Sequence, residues 1–167
     1  DDKVKTVDQL TDLYYRSVGH NATLLLNFPV DRNGLIHPTD SLNAVSFHQR
    51  VQKELADNLL SSAKVVASDE RGGKFKVRAA TDGQYETYWA TNDGVTSADL
   101  TFTFTQPTKM NRVMIQEYIP LGQRVKSFVV EYKEGDQWLP VKSNEETTTV
   151  GYKRPLRFET VETEELR

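Results

Sequence analysis

The hydrophobic positions change period once along the chain. Val7, Leu10, Tyr14 and Val18 recur at helical spacing, with Leu13 beside them. Thr6 and Gln9 stand three residues apart in front of that run, the pattern of a capping box, and Gly19 follows as a helix terminator. The next stretch, Ala22-Thr23-Leu24-Leu25-Leu26-Asn27-Phe28, is nearly unbroken in its apolar character. It predicts a strand buried on both faces, as in a parallel α/β sheet. Pro29 stops it, and Asp31-Arg32-Asn33-Gly34 predicts a turn. After Pro38 and Asp40, the residues Leu42, Val45, Val51, Leu55 and Leu59 fall on or near one stripe, predicting a second helix to about Leu60.

From Ser61 onward the period is two. Val65-Val66-Ala67 and Phe75 to Ala79 are short strand candidates. Leu100, Phe102 and Phe104 alternate with Thr101, Thr103 and Thr105, as in a half-buried strand. Val113 and Ile115 alternate in the next, and Phe128, Val130 and Tyr132 in a third. Glu134-Gly135-Asp136 predicts a hairpin turn into Trp138-Leu139, and Leu156, Phe158 and Val161 close the pattern. Short strands with regular turn signals suggest an antiparallel sandwich. The change of period places a boundary near Ser61-Ser62: residues 1–61 form one region and 62–167 another, mainly β, with no internal repeat.

Composition narrows the partners. A net charge of −3 with no block of either sign gives no basic footprint for nucleic acid or a membrane surface. Lys153-Arg154 and Lys74-Phe75-Lys76 are too short to change that. No apolar run approaches the length of a membrane span, so no membrane insertion is expected. There is no cysteine, hence no disulfide framework. His20, His37 and His48 are too scattered for a zinc site, and no glycine-rich phosphate loop is present. The chain opens on Asp1 rather than methionine, the expectation for a processed or internal piece.

The candidate chemistry gathers in Ala80-Thr81-Asp82-Gly83-Gln84-Tyr85-Glu86-Thr87-Tyr88-Trp89. Asp82-Gly83 is a turn signal. Thr87 offers a hydroxyl, and Trp89 reads as a core anchor that pins the loop rather than as a binding platform. Ala80, Asp82, Gly83, Thr87 and Trp89 resemble the A-x-D-G-x-x-x-T-x-W signature of discoidin-type domains, a group that includes the coagulation-factor C domains and the family 32 carbohydrate-binding modules. Ser17-Val18-Gly19-His20-Asn21, Leu24-Leu25-Leu26-Asn27 and Gly34-Leu35-Ile36 resemble the end of the catalytic barrel in glycoside hydrolase family 29, the α-L-fucosidases. Gln116-Glu117, Gly122-Gln123-Arg124-Val125 and Val150-Gly151-Tyr152-Lys153-Arg154 resemble the discoidin-type domain that follows that barrel.

The resemblance implies a helix-strand-helix remnant of a (β/α)8 barrel in residues 1–61 and a discoidin-type β-sandwich, a jelly roll lacking its last strand, in 62–167. A whole barrel needs about 250 residues. The family's aspartate nucleophile and glutamate acid/base would therefore lie upstream, and no catalytic residue is assigned here. The implied activity is that of a retaining α-L-fucosidase on terminal fucose of glycans. The sandwich would serve either as a carbohydrate-binding module or as a brace for the barrel. Asp82 and Thr87 match positions that help hold a structural calcium in many such domains. The alternative is an Asx-turn at Asp82 and a hydroxyl cap at Thr87. A further glutamate ligand of the family falls outside these residues.

Sugar contacts in such modules come from exposed aromatics and planar polar groups, for which Tyr85, Tyr118 and Arg124 are available, Arg124 having a structural ion pair as its alternative. Asn27 and Phe28 could line the rim of a fucose pocket, or Asn27 could merely satisfy backbone groups in its turn. The expected partners are fucosylated or galactose-containing glycans, and the remainder of the same enzyme or a second copy across open strand edges. The family implies a periplasmic or extracellular location.

Overall fold

The computed structural model describes residues 4–167. They divide into two compact units, one reaching to Asn58 and the other running from Leu59 to Arg167.

The first unit is a pair of helices. Helix α1 spans Val7–Ser17 and begins with the expected capping box: Thr6 Oγ1 accepts from the Gln9 amide at 3.2 Å, and Gln9 Oε1 accepts from the Thr6 amide at 2.9 Å. The residue that ends it differs from expectation. Gly19 lies inside a 3₁₀ turn, Val18–His20, and the left-handed position falls on Asn21 at φ 65°. Asn tolerates that conformation better than other non-glycine residues. Helix α2 spans Pro38–Glu54, with Leu55 as its C-cap, and so stops short of the expected end near Leu60. Proline sits in its first turn, where the missing N–H costs nothing. His37 caps it, its Nδ1 accepting from the Thr39 amide at 3.2 Å. The helices meet through Tyr15, which is fully buried and donates its hydroxyl to Glu54 at 2.9 Å, and through the edge contact of Tyr14 with Phe47. Arg50 joins them again by pairing with Asp8 and Glu54.

The expected buried strand at Leu24–Asn27 is not a strand in this structure. The segment forms no regular element, and Leu25 is 90% exposed. A strand buried on both faces needs a neighbour on each side. Among the described residues, every sheet strand lies in the second unit. For the same reason, the apolar stripe of α2 stays open at Leu42 and Val45.

The second unit is a five-stranded antiparallel sheet built from β1 (Lys64–Ala67), β2 (Leu100–Ile115), β3 (Glu131–Glu134), β4 (Gln137–Pro140) and β5 (Arg154–Leu166), in the order β1-β2-β5-β3-β4. With two helices ahead of it, the chain has the mainly β class the sequence suggests. The two strands expected around Leu100 and Val113 are one long strand. Its ladder with β5 slips between Thr103 and Thr108 and again between Met110 and Arg112. Pro107, which has no N–H to give, stands in the first slip, where a ladder bond is not required. Such irregularities bend a long strand and increase its twist.

The hairpin from β3 to β4 turns on Gly135-Asp136, with Glu134 opposite Gln137 and Gly135 at φ 59°. Regular pairing of β3 begins only at Glu131. Ahead of it Phe128 and Val130 are held by single backbone bonds, Phe128 donating to Thr147 and Val130 accepting from Val141. The core gathers Ala63, Phe102, Phe104, Met110, Val130, Leu156, Phe158 and Leu166. Phe102 and Phe104 share one face because side chains two apart on a strand point the same way.

Candidate functional site

The segment from Ser68 to Asp99 joins β1 to β2 and carries no strand. Phe75 to Ala79, expected as a strand, forms two 3₁₀ turns, Gly73–Phe75 and Val77–Ala80. Glu70 takes the Val77 amide at 2.8 Å, an acceptor that draws the backbone out of an extended course. The far end of the loop is tied to its start. The Trp89 indole donates to the Asp69 carbonyl at 3.0 Å, the Arg71 amide to the Ala90 carbonyl at 2.9 Å, and the Asn92 amide to the Asp69 carboxylate at 2.7 Å. Arg71 adds an ion pair with Asp93. Trp89 is half-buried with its N–H used, so it acts as a pin.

Inside this frame Asp82 and Thr87 come together. Asp82 Oδ1 accepts from the Gln84 amide at 2.9 Å, and its Oδ2 accepts from the Thr87 hydroxyl at 2.6 Å. Gly83 between them takes φ 74°. Thr87 Oγ1 also lies 3.1 Å from the Gln84 carbonyl oxygen. The Thr87 hydroxyl first, and then the Gln84 amide, hold the Asp82 carboxyl below the ordinary aspartate range. Three oxygens from three residues therefore converge on one spot. Among the described residues, no cluster of three or more His, Cys, Asp or Glu side chains is present. Any cation there would rest on one carboxylate, a hydroxyl and a carbonyl, with its remaining oxygens from outside this set.

The clamp closes a loop that holds Tyr85, and this residue, with Tyr88 just after the loop, enters a chain of rings. Tyr88 stacks on Tyr118 with centroids 4.8 Å apart and planes 14° apart. Phe75 leans on Tyr88 at 5.1 Å. Tyr85 lies 5.9 Å from Tyr118 and 5.6 Å from Tyr152, at 62° to the latter. Tyr88 and Tyr118 are half-buried, whereas Tyr85 is 40% and Tyr152 55% exposed. Loss of water around Tyr118, and next the Glu86 carboxylate, raise its phenol above the ordinary tyrosine value. Beside the rings, Lys74, Phe75, Glu86, Thr87 and Tyr88 line a small recess.

Of the three residues singled out for sugar contact, Tyr85 and Tyr118 meet directly. Arg124 is exposed and caps a turn: its Nε donates to the Leu121 carbonyl at 3.3 Å rather than to a carboxylate. Its amide, with that of Val125, donates to Glu117 Oε1 at 2.7 and 2.8 Å. Glu117 Oε2 accepts from the Gly151 amide at 2.6 Å, and the Glu117 amide donates to the Gly151 carbonyl at 2.8 Å. One carboxylate thus ties the Arg124-Val125 turn to Gly151, which is distant in sequence. Glu117, Phe75, Tyr88 and Tyr152 were not among the site residues read from the sequence. The signal for Glu117 and Tyr152 was available, because both lie in the motifs that carried the resemblance. That Glu117 meets Gly151, and Gln116 the Tyr152 carbonyl, depends on partners more than thirty residues apart, which no local pattern reports.

Residues 64–165 match the family model described as F5/8 type C domain. Among curated relatives, the chain is 34% identical over 159 residues to alpha-L-fucosidase 1 of Arabidopsis thaliana, covering 92% of this chain and 31% of that protein. Among solved structures it is similar to a candidate alpha-L-fucosidase from Bacteroides thetaiotaomicron, with TM-score 0.94 and 39% identity, covering 99% of this chain and 36% of that one. It is also similar to a Ruminococcus gnavus GH29 fucosidase solved with fucose, with TM-score 0.88 and 36% identity, covering 97% of this chain and 33% of the other. The chain spans about a third of the length of these relatives.

Proposed function

We propose a function from one premise: the chain belongs to the F5/8 type C domain family. Together with its likeness along almost its whole length to α-L-fucosidases, this supports reading it as the carboxy-terminal portion of a retaining α-L-fucosidase acting on terminal fucose of glycans. Retaining hydrolysis uses two carboxylates about 5–5.5 Å apart, one as nucleophile and one as acid/base. In this reading both come from another part of the enzyme, and residues 4–58 contribute to the barrel that carries them. The open apolar positions Leu25, Leu42 and Val45 suit that role, since a barrel would cover them.

The β-rich unit is the part that docks on glycan. The observation carrying this is the exposure of Tyr85 and Tyr152 on a base of half-buried Tyr118 and Tyr88. Rings held in place by other rings lose little freedom on binding and offer flat apolar faces with a polar tip. Arg124 supplies a planar donor group a short way along the chain. Calcium belongs to the same reading. Asp82, Thr87 and the Gln84 carbonyl would give three of the six to eight oxygens such an ion takes. Bound there, it would fix the loop that carries Tyr85.

Titrating the 167-residue chain with fucosylated and galactose-terminated oligosaccharides, by calorimetry and amide chemical shifts, tests the docking role. Heat and shifts at Tyr85 and Tyr118 are expected. No heat and no shift with any of them would retire docking and leave a brace for the barrel.

A further inference from the structure

We infer that Tyr152 is a direct saccharide contact, and that Tyr85 and Tyr152 together form a corner taking two consecutive pyranose residues of a neutral oligosaccharide. This rests on the docking reading above, which names the same two exposed rings, and goes beyond it in ligand size and in the face each sugar takes. The two rings stand at 62° with centroids 5.6 Å apart, so their open faces look in different directions. One flat sugar cannot lie on both. Two successive sugars, turned relative to each other at the glycosidic bond, can each cover one face. Tyr152 is the most exposed ring of the cluster, at 55%, and Tyr85 follows at 40%. The rings beneath them, Tyr118 and Tyr88, are half-buried and cover one face of each other by stacking, so they offer less ring surface than Tyr85 and Tyr152.

The backbone of Tyr152 is fixed from both sides, which separates it from an incidental surface tyrosine. Gly151 before it exchanges two hydrogen bonds with Glu117, one to the carboxylate and one from the amide. Gly151 is buried at φ 70°, a conformation that suits glycine. The carbonyl of Tyr152 itself accepts from Gln116 Nε2 at 3.2 Å. A ring presented on so constrained a backbone is ordered before ligand arrives, and binding then costs less entropy. Glu117 is the positioning residue: it touches no sugar, yet it sets Tyr152 through Gly151 and the Arg124 turn through two further amides.

The test compares wild type, Tyr152→Ala, Tyr152→Phe, Tyr85→Ala and Glu117→Gln as full chains. Lactose and fucosyllactose are the oligosaccharide probes, with galactose and fucose as monosaccharides, by calorimetry and tyrosine-ring NMR. Tyr152→Ala should weaken the oligosaccharides by roughly tenfold or more, the usual scale for losing an aromatic anchor, and the monosaccharides little. Tyr152→Phe should bind like wild type, because the ring face does the work. Glu117→Gln should weaken the oligosaccharides and, before any sugar is added, shift the Tyr152 ring resonances toward random-coil values. Oligosaccharide binding that is lost in Tyr85→Ala but unchanged in Tyr152→Ala overturns this inference and leaves the docking reading standing. Binding of no probe by wild type overturns both.

Discussion

Arg154 should be the most sensitive charged position in the β-rich unit. Its side chain is 1% exposed. One nitrogen lies 3.4 Å from Glu145 Oε2, and another donates to the Glu146 carbonyl at 2.5 Å. Glu145 in turn accepts from Arg157 Nε at 3.0 Å and is itself 12% exposed. Replacing Glu145 by Leu removes the Glu145 carboxylate from beside a buried Arg154 charge. Breaking a buried pair on one side costs about 3–5 kcal/mol. Arg154 keeps its carbonyl partner at Glu146, which places the loss near the lower figure, about 3 kcal/mol.

For a unit of the size of Leu59–Arg167 that corresponds to a fall in Tm of roughly 13 °C. Both tryptophans, Trp89 and Trp138, lie in the second unit, so their fluorescence in urea reports its unfolding. The double substitution Glu145→Leu/Arg154→Met removes both buried charges. It should recover most of the loss, to within about 1 kcal/mol of wild type, because an apolar replacement of a whole buried pair is often neutral. Arg157, 34% exposed, can turn to water. A Glu145→Leu variant as stable as wild type, or a double variant worse than the single, would refute this account of the pair.

Two further outcomes are expected. The Asp82 carboxyl titrates below the ordinary aspartate range, so the clamp's contribution is complete above that range and is lost as pH falls through the lowered value. In a carboxyl-detected NMR titration, Thr87→Val should move Asp82 upward toward its ordinary value, and a wild-type Asp82 already titrating there would contradict the clamp. Gly151→Ala should destabilise by about 1–2 kcal/mol from the left-handed backbone alone. Urea midpoints equal to wild type would mean that Gly151 does not hold φ 70° in solution.

Local patterns in the sequence were sufficient for the features set by neighbouring residues. The capping box of Thr6 and Gln9, the hairpin at Gly135-Asp136, the Asp82-Gly83 turn and the shared face of Phe102 and Phe104 each depend on residues within a few positions of one another. The mainly β class with two helices ahead follows from the change of period near Ser61.

Features that depend on distant partners needed the fold. Leu24–Asn27 has the composition of a buried strand, but a strand exists only where another lies beside it, and here Leu25 faces solvent. Phe75 to Ala79 alternates like a strand, yet Glu70 and the ties to Ala90 curl it into turns. The candidate site shows the same division. Tyr85 and Tyr118 can be picked out by residue type, and Asp82 and Thr87 by a motif. The meeting of Tyr85 with Tyr152, and of Glu117 with Gly151, joins loops from different parts of the chain, and only the packed sheet brings the first pair into ring contact and the second into a hydrogen bond.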